Sequence, residues 1–249
     1  MPSIDNLFPA WLTQWMDTHQ APLWGAADLR NFATPVDENG KRFPFALSWA
    51  LPMNPRIMAS IQSGPNQPYA DEYERVNHRI NQLAAALATG LGARGYHAKP
   101  LAASERTDTV AVKGEFPHKT AATRAGLGWI GRHCQLITHR FGSWVRLGTV
   151  FTDMALPCGP AVERHFCGQC TQCVDACPAK ALTGTAWQPG IPRRAMLDVQ
   201  ICDQWKKEHY CRYHHGHTCG ICSAVCPYGL KSLNPNLNAR QAYRSFSST

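Results

Sequence analysis

Eight of the eleven cysteines in this chain fall into two runs whose spacing suits iron–sulfur chemistry. The first run is Cys167-x-x-Cys170-x-x-Cys173-x-x-x-Cys177-Pro178. The second is Cys219-x-x-Cys222-x-x-x-Cys226-Pro227, completed by an earlier cysteine, Cys202 in preference to Cys211. Two-residue spacers let three thiolates converge on one cubane from a short loop, and the following proline stops that loop from continuing freely as helix. Where two clusters are present, the fourth cysteine of such a run ligates the other cluster. The expected ligands of one [4Fe–4S] cluster are therefore Cys167, Cys170, Cys173 and Cys226. Those of the other are Cys202, Cys219, Cys222 and Cys177. Paired Cys-x-x-Cys motifs also bind zinc, but zinc does not explain a third cysteine at +6 and a fourth at +10 followed by proline. A disulfide framework fits less well, because no secretory signal is evident and this density of thiols suits a reducing compartment.

Other polar residues compete for a chemical role. Pro117-His118-Lys119-Thr120 closely precedes a glycine loop. His118 can exchange a proton near neutral pH, Lys119 can hold an anionic group, and Glu115 is the nearest acid. The bland alternative is a helix-capping His118 and a solvated Lys119. The loop Gly126-Leu127-Gly128-Trp129-Ile130-Gly131 formally matches the Rossmann spacing, but a helix precedes it and strands follow, the reverse of that motif's context. It reads instead as a turn pressed against a flat cofactor, or as a tight turn whose Trp129 packs in the core. His214, His215 and His217 read as polar loop residues beside the second cysteine run rather than as metal ligands. Cys134 and Cys158 read as buried, inert thiols.

The elements that must position these groups are partly legible. Residues 8–19 read as a helix with Phe8, Trp11, Leu12 and Trp15 on one side. Phe43–Met53 is a nearly continuous apolar run and reads as a buried strand. Residues 52–68 are rich in Pro, Asn, Ser and Gly and read as a loop. Tyr69, Tyr73, Val76, Ile80, Leu83, Leu87 and Leu91 recur at helical spacing, with Asp71, Glu72 and Glu74 where the dipole favours acids. A short strand is expected at 96–101, another at 109–116, and a short helix at 117–125. Residues 134–139 and 144–152 read as strands joined by a hairpin at 140–143. The expected class is α+β. Residues 1–160 form a sheet-and-helix domain, 161–232 a double-cluster domain resembling ferredoxin, and 233–249 a polar tail.

Charge is uneven. Residues 1–112 carry 9 Lys+Arg against 10 Asp+Glu, and residues 113–249 carry 16 against 7. A cubane of charge about +2 on four thiolates is left at about −2, which basic residues offset. Attraction to tRNA or to an acidic redox partner is the sharper reading, but no helix-turn-helix, RNA-recognition motif or run of five basic residues supports it. No stretch of eighteen apolar residues occurs, so a cytoplasmic protein without a membrane span is expected.

The stretch AGLGWIGRHCQLITHRFGSWVRLGTVFTDMALP, followed by the cysteine region ending in CGICSAVCPYG, resembles the epoxyqueuosine reductases and, more distantly, the reductive dehalogenases. The resemblance covers roughly residues 40–230 and is most specific from Ala125 to Pro227. It implies a cobalamin between a corrinoid-binding N-terminal domain and the double-cluster domain. It favours Cys202 over Cys211 as the leading ligand of the second run. It also implies that Gly126, Gly128, Trp129, Ile130 and Gly131 help line the corrin together with Gly142, Ser143 and Trp144, and that Tyr69 lies on the substrate side. The function so implied is an iron–sulfur reductase that passes electrons through two [4Fe–4S] clusters to cobalamin, for reduction of a small-molecule or nucleoside substrate. A low-potential donor such as ferredoxin or flavodoxin would supply the electrons. The alternatives are a cobalamin-free electron-transfer protein and a reductive activator or carrier of corrinoid. Two departures stand out. The family's catalytic aspartate falls on Val112, in VAVKGEFPHKT, and the chain stops short of the helical-repeat extension that many members use on tRNA.

Overall fold

The computed structural model describes residues 8–214 and 217–233. The chain begins with helix α1 (Ala10–Thr18), then strands β1 (Trp24–Asp28) and β2 (Phe45–Pro52), a short helix α2 (Pro55–Ala59), and the long helix α3 (Gln67–Gly92). Strand β3 (Ala98–Leu101), helix α4 (His118–Arg124), the two-residue strands β4 (Trp129–Ile130) and β5 (Leu136–Ile137), and strand β6 (Val145–Thr152) follow. The cysteine region adds helices α5 (Gln172–Asp175), α6 (Val199–Tyr210), α7 (Ile221–Ala224) and α8 (Pro227–Leu230). No described helix is long and apolar enough to cross a membrane.

The main sheet runs β1-β2-β6-β3, antiparallel throughout. Helices cover both of its faces, which explains the unbroken apolar run of β2. Leu47, Trp49 and Leu51 face α1 and α3, packing with Leu12, Met16, Val76, Ile80 and Leu83. Ala46 and Phe151 face the other way, against Ala121 of α4 and Phe116. Within α1 the fully buried residues are Leu12 and Met16, while Trp11 and Trp15 are only partly covered. Helix α3 starts two residues before Tyr69. The Asn66 side chain accepts the Tyr69 N–H at 3.0 Å, and Pro68 sits in the first turn.

Three expectations need correction. Residues 52–68 are not all loop, because Asn54 caps the Arg56 and Ile57 N–H groups and starts α2. Residues 109–116 do not form a strand. Asp108 accepts the Ala111 N–H at 2.8 Å and pairs with Lys113 in an isolated bridge, Val112 has φ 49°, and Val110 is 85% exposed. The alternating pattern there joins no ladder of the main sheet, although Glu115 reaches Lys99 of the edge strand β3. Residues 134–152 do not make one hairpin either. Strand β5 pairs with β4, β6 joins the main sheet, and only a Thr138–Gly142 bridge closes the turn.

Close packing at the sheet centre is testable. Gly148 of β6 lies opposite Trp49, and a Cβ there would stand 2.1 Å from the Trp49 ring. Trp49 is fully buried. Gly148→Ala should therefore cost about 2 kcal/mol, the usual scale of core overpacking. A denaturation midpoint equal to wild type would show that this contact yields easily.

Candidate functional site

The cysteine loops bring two thiol quartets together. Cys173 is buried and its thiol is pushed up to about 12, first by burial and then by Cys226, Cys167 and Cys170. Cys222 is pushed far up by burial, then by Cys219, Cys202, Cys173 and Cys177. Cys219 rises to about 11, by burial and then by Cys202 and Cys177. The influence of Cys173 on Cys222 marks the quartets as neighbours. Cys211 is exposed at the end of α6, and it is Cys202, not Cys211, that stands among the thiols raising Cys219 and Cys222. Among the described residues no three His, Cys, Asp or Glu side chains close on a single-ion site. Thiols that resist ionisation because they are buried side by side can become thiolates only if a cationic core offsets their charge. Two [4Fe–4S] cores suit this donor set, and the apolar shell of Ala181, Leu182, Leu197 and Val225 suits it too.

The two halves of the chain are locked together around these quartets. Gly220 has φ 83°, and a Cβ there would lie 2.8 Å from the Tyr69 hydroxyl. Gly142, φ 59°, presses on the Tyr228–Gly229 backbone, where a Cβ would lie 2.2 Å away. The Trp144 indole Nε1 and the Ser143 Oγ both donate to the Ser223 carbonyl, at 2.8 and 3.0 Å. The Cys226 thiol is pushed up to about 11 by burial, against the lowering effect of hydrogen bonds from Ser143 and the backbone of Tyr228 and Gly229.

A cavity of about 1290 Å³ opens between α3, the 101–120 segment, the β4–β5 turn and the cysteine loops. Cys177, Cys202, Cys219 and Cys222 all line it, and none of the other quartet does. It exceeds the space of a drug-sized ligand pocket, and its apolar wall of Ile130, Leu136, Leu147, Leu182 and Met196 suits a large, flat cofactor.

The sequence-derived contacts divide. Tyr69, Ile130 and Ser143 line the cavity. Gly126, Gly128, Trp129, Gly131, Gly142 and Trp144 do not. Trp129 is fully buried, its ring within 5.0 Å of Phe166 and Tyr228 and packed with Cys226 and Cys167 behind the first quartet. Gly128 is needed for backbone approach, since a Cβ would meet the Ile137 carbonyl at 2.1 Å. The loop that resembles a cofactor cradle is thus mostly core packing.

His118, Lys119 and Glu115 all border the cavity, but each is engaged. Glu115 pairs with Lys99 at 2.5 Å. Lys119 Nζ donates to the Cys134 carbonyl at 2.7 Å and its sulfur at 3.1 Å. His118 Nε2 donates to the Ala102 carbonyl at 3.3 Å, leaving Nδ1 to accept from Thr149 Oγ1 at 2.9 Å. Burial lowers its pKa to about 4, which keeps the ring neutral near pH 7. His133 is likewise lowered to about 4, by burial and then by Lys119. His214 bonds Glu74 at 2.6 Å, His217 borders the cavity, and His215 lies outside the described residues.

Sequence reasoning missed a second polar group. Arg146 stands over the Tyr73 ring at 4.1 Å and donates to Asn77 Oδ1 at 2.9 Å and to Ser104. The Tyr73 hydroxyl meets Ser104 Oγ at 2.8 Å. Burial alone would raise the Tyr73 pKa, yet it falls below the ordinary phenol value because Arg146, then Ser104 and Asn77, favour the phenolate. Tyr69 is raised instead, by burial and by Tyr73. The clue in the sequence is Asn77, a polar residue inside the apolar stripe of α3.

Two neutral histidines, His133 buried and His118 half-buried, also set a pH response. An unfolded histidine takes up a proton below about 6.5, and these do so in the fold only near 4. Stability is complete above pH 6.5 and is lost as pH falls to about 4, by roughly 3 kcal/mol for each histidine. His118→Gln should flatten part of that decline in denaturation midpoints. An unchanged pH slope would show that His118 is protonated as easily folded as unfolded.

Residues 166–229 match the model of a 4Fe-4S double cluster binding domain. The epoxyqueuosine reductase of Pseudomonas aeruginosa is 33% identical over 188 residues, which are 69% of this chain and 46% of that protein. The chain thus spans about half the length of the curated relative it matches. A solved reductive dehalogenase, described in terms of B12-dependent dehalogenation, shares the fold at TM-score 0.68 and 18% identity, covering 95% of this chain and 33% of the other. An epoxyqueuosine reductase solved with an epoxyqueuosine-modified tRNA-Tyr stem loop shares it at TM-score 0.57 and 18% identity, covering 94% and 68%. In sequence and cluster domain the chain is similar to the epoxyqueuosine reductases, and it shares their fold.

Proposed function

We propose that this protein is an iron–sulfur reductase that uses two [4Fe–4S] clusters and a cobalamin to reduce a small molecule or nucleoside. Cys167, Cys170, Cys173 and Cys226 hold one cluster, and Cys177, Cys202, Cys219 and Cys222 hold the other. The observation that carries the reading is the asymmetry of the cavity, whose wall includes all four thiols of the second quartet and none of the first. The clusters supply single electrons, and the corrinoid supplies a strongly reducing cobalt. A low-potential donor such as ferredoxin or flavodoxin fits the partly exposed Cys167 and Cys170 of the first quartet.

The chain's own residues supply position and a proton. The 101–120 segment covers the cavity and is tied to the cysteine region. Arg193 donates to the Ala111 and Val112 carbonyls at 2.6 and 2.9 Å, and Arg106 makes a two-point contact with Asp203 at 2.6 and 3.1 Å. Val112 lines the cavity where the family aspartate would stand, so the proton must come from elsewhere. Tyr73 is the best placed donor. It lines the cavity, and Arg146, Asn77 and Ser104 hold its hydroxyl and stabilise the phenolate left after proton loss. Substrates that gain a proton as they are reduced, the epoxide of the tRNA-bound nucleoside among them, fit this arrangement.

Anaerobic reconstitution with iron, sulfide and hydroxocobalamin should give about eight irons and a corrinoid that stays with the protein through gel filtration. Full iron without cobalt would favour a cobalamin-free electron-transfer protein. Bound corrinoid that serves only a second protein would favour an activator. Cys202→Ser should lose about half the iron, as one of two cubanes fails, and Cys211→Ser should lose none. The reverse result would move the second cluster onto Cys211. One phenol should titrate below the usual value of about 10 in difference spectra. That titration should vanish in Tyr73→Phe and shift upward in Arg146→Met. If Arg146→Met leaves it in place, the proposed source of the proton is wrong.

A further inference from the structure

Three cations on the cavity wall have no carboxylate within salt-bridge distance among the described residues: Lys119, Arg146 and Arg193. Arg193 is satisfied by two backbone carbonyls, and Arg146 by Asn77, Ser104 and the Tyr73 ring. Lys119 differs. Its ammonium has three N–H donors, and its two partners are the carbonyl and the sulfur of Cys134, with no carboxylate beside them. Cys134 holds φ 61° to present them, a conformation rare outside glycine. The cation is thus fixed in place with no carboxylate to offset it among the described residues.

His133 stands beside it. It is 2% exposed and borders the same cavity. Its Nδ1 accepts the Gln135 backbone N–H at 3.2 Å, so the ring proton of the neutral form sits on Nε2. That Nε2 is buried and has no hydrogen-bond partner. A buried donor left unmade is costly and calls for an acceptor. Lys119 lies close enough that its charge helps to keep His133 from taking a second proton. One wall of the cavity therefore carries a fixed positive charge with an unpartnered neutral donor beside it, and Cys134, which holds the ammonium, directly follows His133 in sequence. The group that suits it is an oxygen-rich anion.

We infer that Lys119 and His133 anchor the phosphodiester of the cobalamin nucleotide loop. The inference rests on the corrinoid reading above. The amide side chains of cobalamin are neutral, and its phosphodiester is the one anionic group it brings into the cavity. An anion on the substrate would satisfy the same wall, and the two sources differ in what they predict for corrinoids. Cobinamide has the same macrocycle but lacks the nucleotide loop and its phosphate.

The test is corrinoid binding, followed by absorbance and by retention on gel filtration, in protein carrying both clusters. Wild type should bind cobalamin more tightly than cobinamide. Lys119→Met should weaken cobalamin roughly ten- to a hundredfold, the scale of a lost charge-assisted hydrogen bond, and leave cobinamide unchanged. His133→Phe should act in the same sense and less strongly. Excess inorganic phosphate should weaken cobalamin but not cobinamide on wild type, which gives a readout even if a variant folds poorly. Equal effects on both corrinoids, or no effect of either substitution, would overturn the phosphate assignment while leaving the corrinoid reading intact. A wild type that retains neither corrinoid would overturn both.

Discussion

Crowded thiols are the constraint on which this fold depends. Eight cysteines are packed into two adjoining quartets, and Cys173, Cys219, Cys222 and Cys226 are driven away from ionisation by burial and by neighbouring thiols. Such an arrangement is poorly stabilised by packing alone, because the short α5, α7 and α8 helices bury few apolar side chains. Metal–thiolate bonding is the natural source of the missing free energy, as in other small domains held by metal. The sheet half of the molecule has its own core and does not need that help. It supplies a rigid platform, and the cysteine loops are fitted to it at a few close contacts.

Those contacts explain why glycines stand where they do. Gly220 lies between two cysteines of the second quartet and touches Tyr69 of α3. Gly142 and Gly229 lie on opposite sides of one interface, against Tyr228 and Trp144. Each lets two backbones, or a backbone and a ring, come closer than a side chain would permit. The cavity is the space left where the two halves diverge again beyond these contacts. Its depth is set by the same packing that brings the second quartet to its wall. Cavity and thiol geometry are consequences of the same contacts.

The sequence disclosed most where a periodic pattern or a covalent spacing carries the information. The cysteine runs, the apolar stripe of α3 and the two-faced burial of β2 all follow from residue spacing alone. Thr109–Phe116 misled because alternation is only half of a strand's requirement. The other half is backbone pairing with a partner strand, and among the described residues the segment forms only the Asp108–Lys113 bridge. The glycine loop misled in another way. Its Gly and Trp residues do serve a close approach, but to the Ile137 backbone and to Phe166 and Tyr228, not to the cavity. Tyr73, Asn77 and Arg146 escaped because their meeting depends on β6 crossing α3, a contact separated by 69 residues between Asn77 and Arg146. Lys119 and Cys134 are similarly joined only by the fold.

The basic excess of the second half can now be located. Lys206 and Lys207 pair with the buried Asp203, which also holds Arg106. Burial opposes ionisation of Asp203, but hydrogen bonds from Arg106 and Lys207 and the charge of Lys206 outweigh it and keep the carboxyl below its usual range. Three cations around one carboxylate leave this corner positive. It lies beside the second quartet, since Lys206 and Arg106 both ease ionisation of Cys202. Charge that reads from the sequence as a diffuse attraction to polyanions is therefore partly local. It sits against the thiols nearest the cavity, where four thiolates have the most need of it. The same ion cluster ties the segment over the cavity to α6, so the groups that balance the thiolates also hold the cover in place.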